Sequence, residues 1–342
     1  MVKKKFISIV ATLGLVLALA LVPVASPVMA DVNQTATGSF TVGNAAPVVS
    51  AVALKDIGGI DATSMTPQVE YYVNVTVSDA NKLNDLTNVT VTIFYDADGS
   101  YAPGDVPSGG NAQNSSILKW TTSDTWTMDA GSPTSWANIT ENCSRPADLT
   151  ASSGTFKFSF KPGKVATETT GSDRWHIYAV ANDGQDTGNN TQQNCTMDWY
   201  GAITVNTPSV DWGSVSPGMD FSEGDPSEEG NINVTYIANG AYDEKVAASS
   251  PWTNVSANAT LDPTGNCTNE NEFALKADDT GTLSSAVLAD ITPTYTAIDV
   301  SGNQTTEAGD TVNTNALWLK LAATFTEATF NGSIYYQIAD GE

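Results

Sequence analysis

Residues 71–99 read YYVNVTVSDANKLNDLTNVTVTIFYDADG, two runs in which apolar and polar positions alternate. Val73, Val75 and Val77 alternate with Asn74, Thr76 and Ser78, and Val89, Val91 and Ile93 alternate with Asn88, Thr90 and Thr92. A period of two sets one face of a strand against a core and the other in water. The β-branched residues favour the pleated backbone, while Asp79-Ala80-Asn81 and Asp96-Ala97-Asp98-Gly99 supply the side-chain-to-backbone bonds of turns. The stretch therefore predicts antiparallel strands with one solvated face. The pattern returns where Phe156, Phe158 and Phe160 alternate with Lys157, Ser159 and Lys161 ahead of Pro162-Gly163. Trp175, Ile177, Ala179 and Ala181 form another inward row, closed by Asn182-Asp183-Gly184. Residues 202–205 are expected to complete a set of about seven strands, a sandwich carrying insertions.

A second set opens near Thr207-Pro208. Residues 210–218 read as its opening strand, Ile232, Val234 and Tyr236 alternate up to the turn Asn239-Gly240, and further strands are expected at 245–248, 273–277, 317–321 and 333–339. No window carries a helical period. The expectation is an all-β chain of two tandem sandwiches, residues 47–206 and 207–342, behind a 31–46 arm and a 1–30 leader. The arm is read as a linker or, more sharply, as a strand at 37–42 donated to the sheet edge of a neighbouring molecule.

The leader has the form of a secretory signal. Lys3, Lys4 and Lys5 precede an apolar run from Phe6 to about Val22, Pro23 breaks it, and Val28-Met29-Ala30 offers small residues at cleavage spacing. An uncleaved membrane anchor is the competing reading. No later apolar stretch reaches spanning length, and no C-terminal anchor or lipidation tail is expected.

Charge narrows the partners. The net charge is -24, with 14 Lys and Arg against 38 Asp and Glu, and loss of the leader makes it more negative still. Phosphate contacts need clustered basic residues, so nucleic acid is excluded as a partner. An acidic, exported chain suits high salt or calcium. Charged residues are nonetheless only 15% of the chain, so its surface is mostly neutral and polar.

The segments YYVNVTVSDANKLNDLTNVTVTIFYD, GTFKFSF and RWHIYAVANDG resemble the immunoglobulin-like domains of secreted bacterial and archaeal surface proteins, with strands ending in Val-x-Asp and Ala-x-Asp-Gly. VDWGSVSPG, NVTYIANG and FNGSIYYQIADG are similar to the immunoglobulin-like repeats of surface-layer and envelope proteins. The resemblance covers most of residues 47–342. It implies immunoglobulin-like sandwiches at a cell surface, partnered by other surface proteins or by copies of the same chain, in a structural or adhesive role.

Several residues are candidates for chemistry. Asn-x-Ser/Thr triplets fall at Asn33, Asn74, Asn88, Asn114, Asn138, Asn142, Asn189, Asn194, Asn233, Asn254, Asn258, Asn266, Asn303 and Asn331, so an exported glycoprotein is expected. Asp96 and Asp98, with Asp105 beyond, have the alternate spacing by which a tight loop points oxygens at calcium; the plainer reading is a hairpin turn. No other cofactor is expected. Immunoglobulin topology would make Asp79 and Asp183 neighbours at one pole, with Asp96 and Asp98 at the opposite pole. Trp120, Trp126 and Trp136 lie in a polar passage and would suit a platform for sugar rings, the mark of a carbohydrate-binding module, or else core packing. Of the three cysteines, Cys143 and Cys195 are candidates for a disulfide, which leaves Cys267 over. The single histidine, His176, reads as a surface residue on a strand. No Gly-x-Ser-x-Gly or His-Glu-x-x-His motif accompanies it, so a hydrolase is the remote alternative and no catalytic residue is assigned.

Overall fold

A computed structural model describes residues 37–206, 209–221, 229–278 and 289–341. The leader, Asn33 and most of the acidic loop after Phe221 lie outside these residues. The chain divides into two units, residues 1–43 and 44–342. In the first, residues 37–43 form no strand, and Phe40 and Val42 are 90% and 72% exposed. No described helix is long and apolar enough to cross a membrane.

The second unit is all-β, with only two short 3-10 turns among its described helical residues. Its first ten strands are β1 (Val48–Asp56), β2 (Ser64–Met65), β3 (Tyr71–Ser78), β4 (Asn88–Asp96), β5 (Ser115–Thr121), β6 (Thr125–Asp129), β7 (Ala137–Asn138), β8 (Ser153–Lys161), β9 (Arg174–Asn182) and β10 (Thr187–Met197). They form two sheets, in the orders β1-β3-β8-β7 and β2-β10-β9-β4-β5-β6. Every pair is antiparallel except β2 on β10. This is the variable-type immunoglobulin arrangement, in which two extra strands widen one sheet. The alternation read from the sequence sets the core. Val73, Val75 and Val77 of β3 are fully buried beside Phe156, Phe158 and Phe160 of β8, with Val73 opposite Phe158 and Val75 opposite Phe156. Trp120, from the facing sheet, meets Phe156 at 4.7 Å between ring centres.

The remaining strands are β11 (Gly201–Val205), β12 (Glu229–Ala238), β13 (Tyr242–Ala248), β14 (Trp252–Thr253), β15 (Asn258–Leu261), β16 (Glu272–Asp278), β17 (Ala289–Asp290), β18 (Thr296–Gly302), β19 (Asp310–Leu321) and β20 (Ile334–Asp340). One sheet runs β11-β12-β19-β16-β15-β14, with β17 also on β16, and faces a narrow sheet ordered β18-β13-β20. Their shared core contains Tyr236, Tyr242, Trp252 and Phe273, separate from the core of the first pair of sheets.

Two sequence expectations are corrected here. Residues 201–205 do not complete the first sandwich; they pair with β12, from Gly201 opposite Ala238 to Val205 opposite Val234. The chain thus crosses between sandwiches at about residues 198–200. The expected opening strand at 210–218 is irregular, because Gly213 and Gly218 take positive φ of 68° and 83° and Asp211 bonds the Gly213 N–H in a local turn. Trp212 still enters the core and donates Nε1–H to the Leu317 carbonyl at 3.2 Å.

Candidate functional site

The two sandwiches meet at the turn between β12 and β13, where the sequence placed Asn239-Gly240. Asn239 is fully buried. Its Nδ2 donates to the carbonyls of Ala166 and Asp198 at 2.8 and 2.9 Å, and its Oδ1 accepts the Tyr200 N–H at 2.6 Å. One amide thus fills both carbonyls and the N–H of a seam that water does not reach. The Glu168 N–H adds a bond to the Asn239 carbonyl at 3.0 Å. Around it, Gln304 Nε2 donates to the Val165 carbonyl and Thr167 Oγ1, Gln113 Nε2 donates to the Thr305 carbonyl, and Ser135 donates its N–H and hydroxyl to Glu307 Oε1 at 2.8 and 2.7 Å. At Gly240 a Cβ would collide with the Glu168 side chain. This seam holds the sandwiches as one body. The sequence marked only its turn, because the partners are scattered from residue 113 to residue 307.

Beyond the seam, the narrow sheet of the second sandwich ends in an edge strand, with β11 of the facing sheet nearby. β20 ends the narrow sheet, and among the described residues only β13 pairs with it. Its inward row of Ile334, Tyr336 and Ile338 packs on the core yet stays partly exposed. A groove of about 1380 Å³ lies alongside, lined by Trp212, Trp252, Phe273, Phe330, Ile334 and Tyr336 among others. Trp252 Nε1 and Tyr336 Oη, both in this lining, have no hydrogen-bond partner. Burial, and then the nearby Glu244 carboxylate, push the Tyr336 phenol well above its ordinary range.

The first sandwich has an acidic pole at the end away from the seam. β10 runs from that pole to the seam, and eleven residues at 3.3 Å each separate the two by roughly 35 Å. Asp79 follows β3, Asp85 sits in the 3-10 turn Leu83–Asp85, and Asp183 follows β9. Each offers a carboxylate oxygen within 4.8 Å of the others, as immunoglobulin topology predicted for Asp79 and Asp183. Asp79 is 2% exposed; its Oδ1 accepts the Asn81 N–H at 2.7 Å, and its Oδ2 is buried without a partner. Burial, and after it the charges of Asp85 and Asp183, hold the Asp79 carboxyl above its usual range. Asp183 is held below its usual range, first by the N–H of Asp186 and also by that of Gln185 and the Asn44 amide. Asn44, the first residue of this unit, also bonds Asp186, so the chain enters the sandwich at this pole.

The other predicted sites fare differently. Asp96, Asp98 and Asp105 are not gathered into a metal cluster. Asp96 Oδ1 accepts the Asp98 N–H, Asp98 Oδ1 the Ser100 N–H, and Asp105 Oδ2 the Ala102 N–H, so each carboxylate closes its own turn. Gly99 completes the hairpin at φ 68°, against the Ser172 carbonyl. The tryptophan platform is not formed. Trp120 is fully buried, Trp136 is 6% exposed and stacks near Phe160, and Trp126 lies edge-on against Phe158 at 5.0 Å. These rings pack between the two sheets, Trp126 at the edge of the core.

His176 is not a surface residue. It points outward from β9, as the alternation requires, but Phe94 and Tyr101 cover it and Asp96 Oδ2 lies 3.3 Å from Nε2, leaving it 0% exposed. The Cys143 to Cys195 bridge is also absent, since all three thiols are free. Cys143 bonds Ser159 behind β8, while Cys195 belongs to the core, so a sheet stands between them. Of the sequon asparagines among the described residues none is buried, and Asn114, Asn142, Asn189, Asn194, Asn258, Asn266, Asn303 and Asn331 are exposed.

No family model and no curated protein matches the chain. Among solved structures it is similar to a C-terminal fragment of the major pilin of Streptococcus agalactiae, at 9% identity and a TM-score of 0.20 over 86% of each chain. It is also similar to a serine-rich repeat adhesion glycoprotein of the same organism, at 11% identity and a TM-score of 0.18, over 85% of this chain and 91% of that one.

Proposed function

We propose that this chain is an exported structural subunit of a cell-surface or extracellular assembly and that it associates with copies of itself through β-strand addition. The observation that carries the reading is the unpaired edge of β20 beside a groove whose lining mixes aromatic and polar side chains, in a chain whose arm displays Phe40 and Val42 to solvent. A strand at 37–42 from one copy, laid along β20 of the next, would pair its backbone with that edge and drop alternate side chains into the groove. Several features support the reading. The leader has the pattern of a secretory signal, the sequons stand at the surface, and the seam at Asn239 makes two sandwiches into one stiff element able to transmit load. An adhesive role would use the same exposed faces. His176, the single histidine, is sealed from solvent and offers no base to a substrate.

The test is negative-stain electron microscopy with light-scattering mass on residues 31–342 and on the same protein lacking residues 31–43. Filaments or sheets from the first and monomers from the second are expected. A strict monomer in both, at concentrations reached at a cell surface, overturns the reading. Assembly that persists without the arm refutes strand addition while leaving association in place.

A further inference from the structure

The acidic pole carries an inference independent of assembly. Three carboxylates converge from two segments of the chain, Asp79 and Asp85 from the loop between β3 and β4 and Asp183 from the turn after β9, and no basic side chain among the described residues is hydrogen-bonded to them. The described ion pairs of this sandwich lie elsewhere, at Lys55 with Asp61, Arg145 with Asp124 and His176 with Asp96. Asp79 is the telling member. A carboxylate oxygen shut away from water with no donor costs several kcal/mol unless a cation or proton meets it. Asp85, by contrast, is exposed; its backbone N–H bonds the Lys82 carbonyl, but among the described residues its carboxylate makes no hydrogen bond, which leaves its oxygens available.

We infer that Asp79, Asp85 and Asp183 bind a divalent cation of the calcium class. Oxygens on opposite sides of one calcium ion, each 2.3–2.6 Å from it, stand about 5 Å apart, so oxygens all within 4.8 Å of one another fit one coordination sphere. Magnesium, at 2.0–2.1 Å, demands near-ideal octahedral geometry and gives up its waters reluctantly, so the larger and more permissive calcium is the better match. Each carboxylate offers one oxygen to the cluster, and the exposed side at Asp85 admits water to complete the shell. Such an ion would tie the turn after β9 to the loop between β3 and β4, the two segments that close this end of the sandwich. It would also steady the root of the arm, since Asn44 bonds Asp183.

Isothermal titration of calcium into chelator-stripped residues 31–342 tests this, alongside melting temperature with and without millimolar calcium. One saturable site in the range typical of extracellular modules, roughly 0.1–1 mM, and a calcium-dependent rise in melting temperature are expected. Asp85→Asn should abolish both while leaving the metal-free protein at least as stable as the parent, because it removes a like charge from beside the buried Asp79. Asp98→Asn should leave both intact and so separates this pole from the turn at Asp96. Saturable binding that survives Asp85→Asn, or no saturable site in the parent, overturns the assignment.

Discussion

Replacing Asn239 with alanine removes three hydrogen bonds at once and leaves their partners stranded inside the seam. The carbonyls of Ala166 and Asp198 lose their donor and the Tyr200 N–H loses its acceptor, at distances of 2.6 to 2.9 Å in the intact protein. A buried polar group left unsatisfied costs about 1–3 kcal/mol, and a water entering the small void would recover part of that. The expected loss is therefore about 2–5 kcal/mol, enough to lower the melting temperature by roughly 5–15 °C in a protein of this size. The loss should fall on coupling. In the parent, tryptophan fluorescence during urea denaturation should report one transition; in the variant the two sandwiches should melt separately, because the cores share no buried side chains. Small-angle scattering of the variant should show a broader spread of conformations. Asn239→Asp distinguishes shape from bonding: it fits the space but turns a carboxylate oxygen toward two carbonyls, so it should be at least as damaging. A variant that unfolds in one transition with a midpoint within a degree of the parent would refute the view that this amide locks the seam.

Three further outcomes are expected. Phe40→Asp with Val42→Asp should reduce assembly in sedimentation at least tenfold without moving the melting temperature, since both side chains lie exposed in the single chain. Calcium stabilisation should fade as pH falls below neutral, because Asp79, whose carboxyl is raised first by burial and then by Asp85 and Asp183, takes up a proton at higher pH than an ordinary aspartate and competes with the ion. A raised carboxyl favours the fold below its pKa, so the metal-free protein should gain stability at this pole over the same window, while the depressed Asp183 loses its contribution only at lower pH. Finally, burial pushes the Cys195 thiol to about 12 and the Cys267 thiol to about 11, so both should resist iodoacetamide at pH 8 until the protein is unfolded. Rapid labelling of the native protein would refute their placement.

What the sequence revealed and what it hid divide along physical lines. Strands that bury one face announce themselves, and the rows at Val73, Phe156 and Trp175 all lie in the core as their alternation required. Strands whose side chains are mostly polar give no such signal. β10 reads TGNNTQQNCTM, yet it is the longest strand of the first sandwich, held by its backbone bonds to β9 and β2. The tryptophans misled for the opposite reason: Trp120 and Trp126 sit among threonines and serines, but those polar neighbours occupy the outer face while the rings turn inward against Phe156 and Phe158. Topology explains the acidic residues. Asp96 and Asp98 are close in sequence and spend their oxygens on their own turn, whereas Asp79, Asp85 and Asp183 are made neighbours by the sandwich itself.

The places of these features along one rigid unit constrain any assembly built from it. The arm joins the first sandwich at Asn44, at the acidic pole, while the groove lies in the second sandwich, past the seam. Along β20 the residues nearest the seam are those at Asp340, opposite Tyr242, and the groove-lining Ile334 sits opposite Ala248, farther out. Donor and acceptor surfaces are therefore different patches separated by a locked junction. A contact between unlike patches is head-to-tail, and it repeats without limit unless the rotation between subunits closes a ring. Strand addition from such a protomer should give filaments whose axial repeat is fixed by the seam. The repeat then becomes a ruler for the mechanism: weakening the seam at Asn239 should blur it, whereas removing the arm should end the filament.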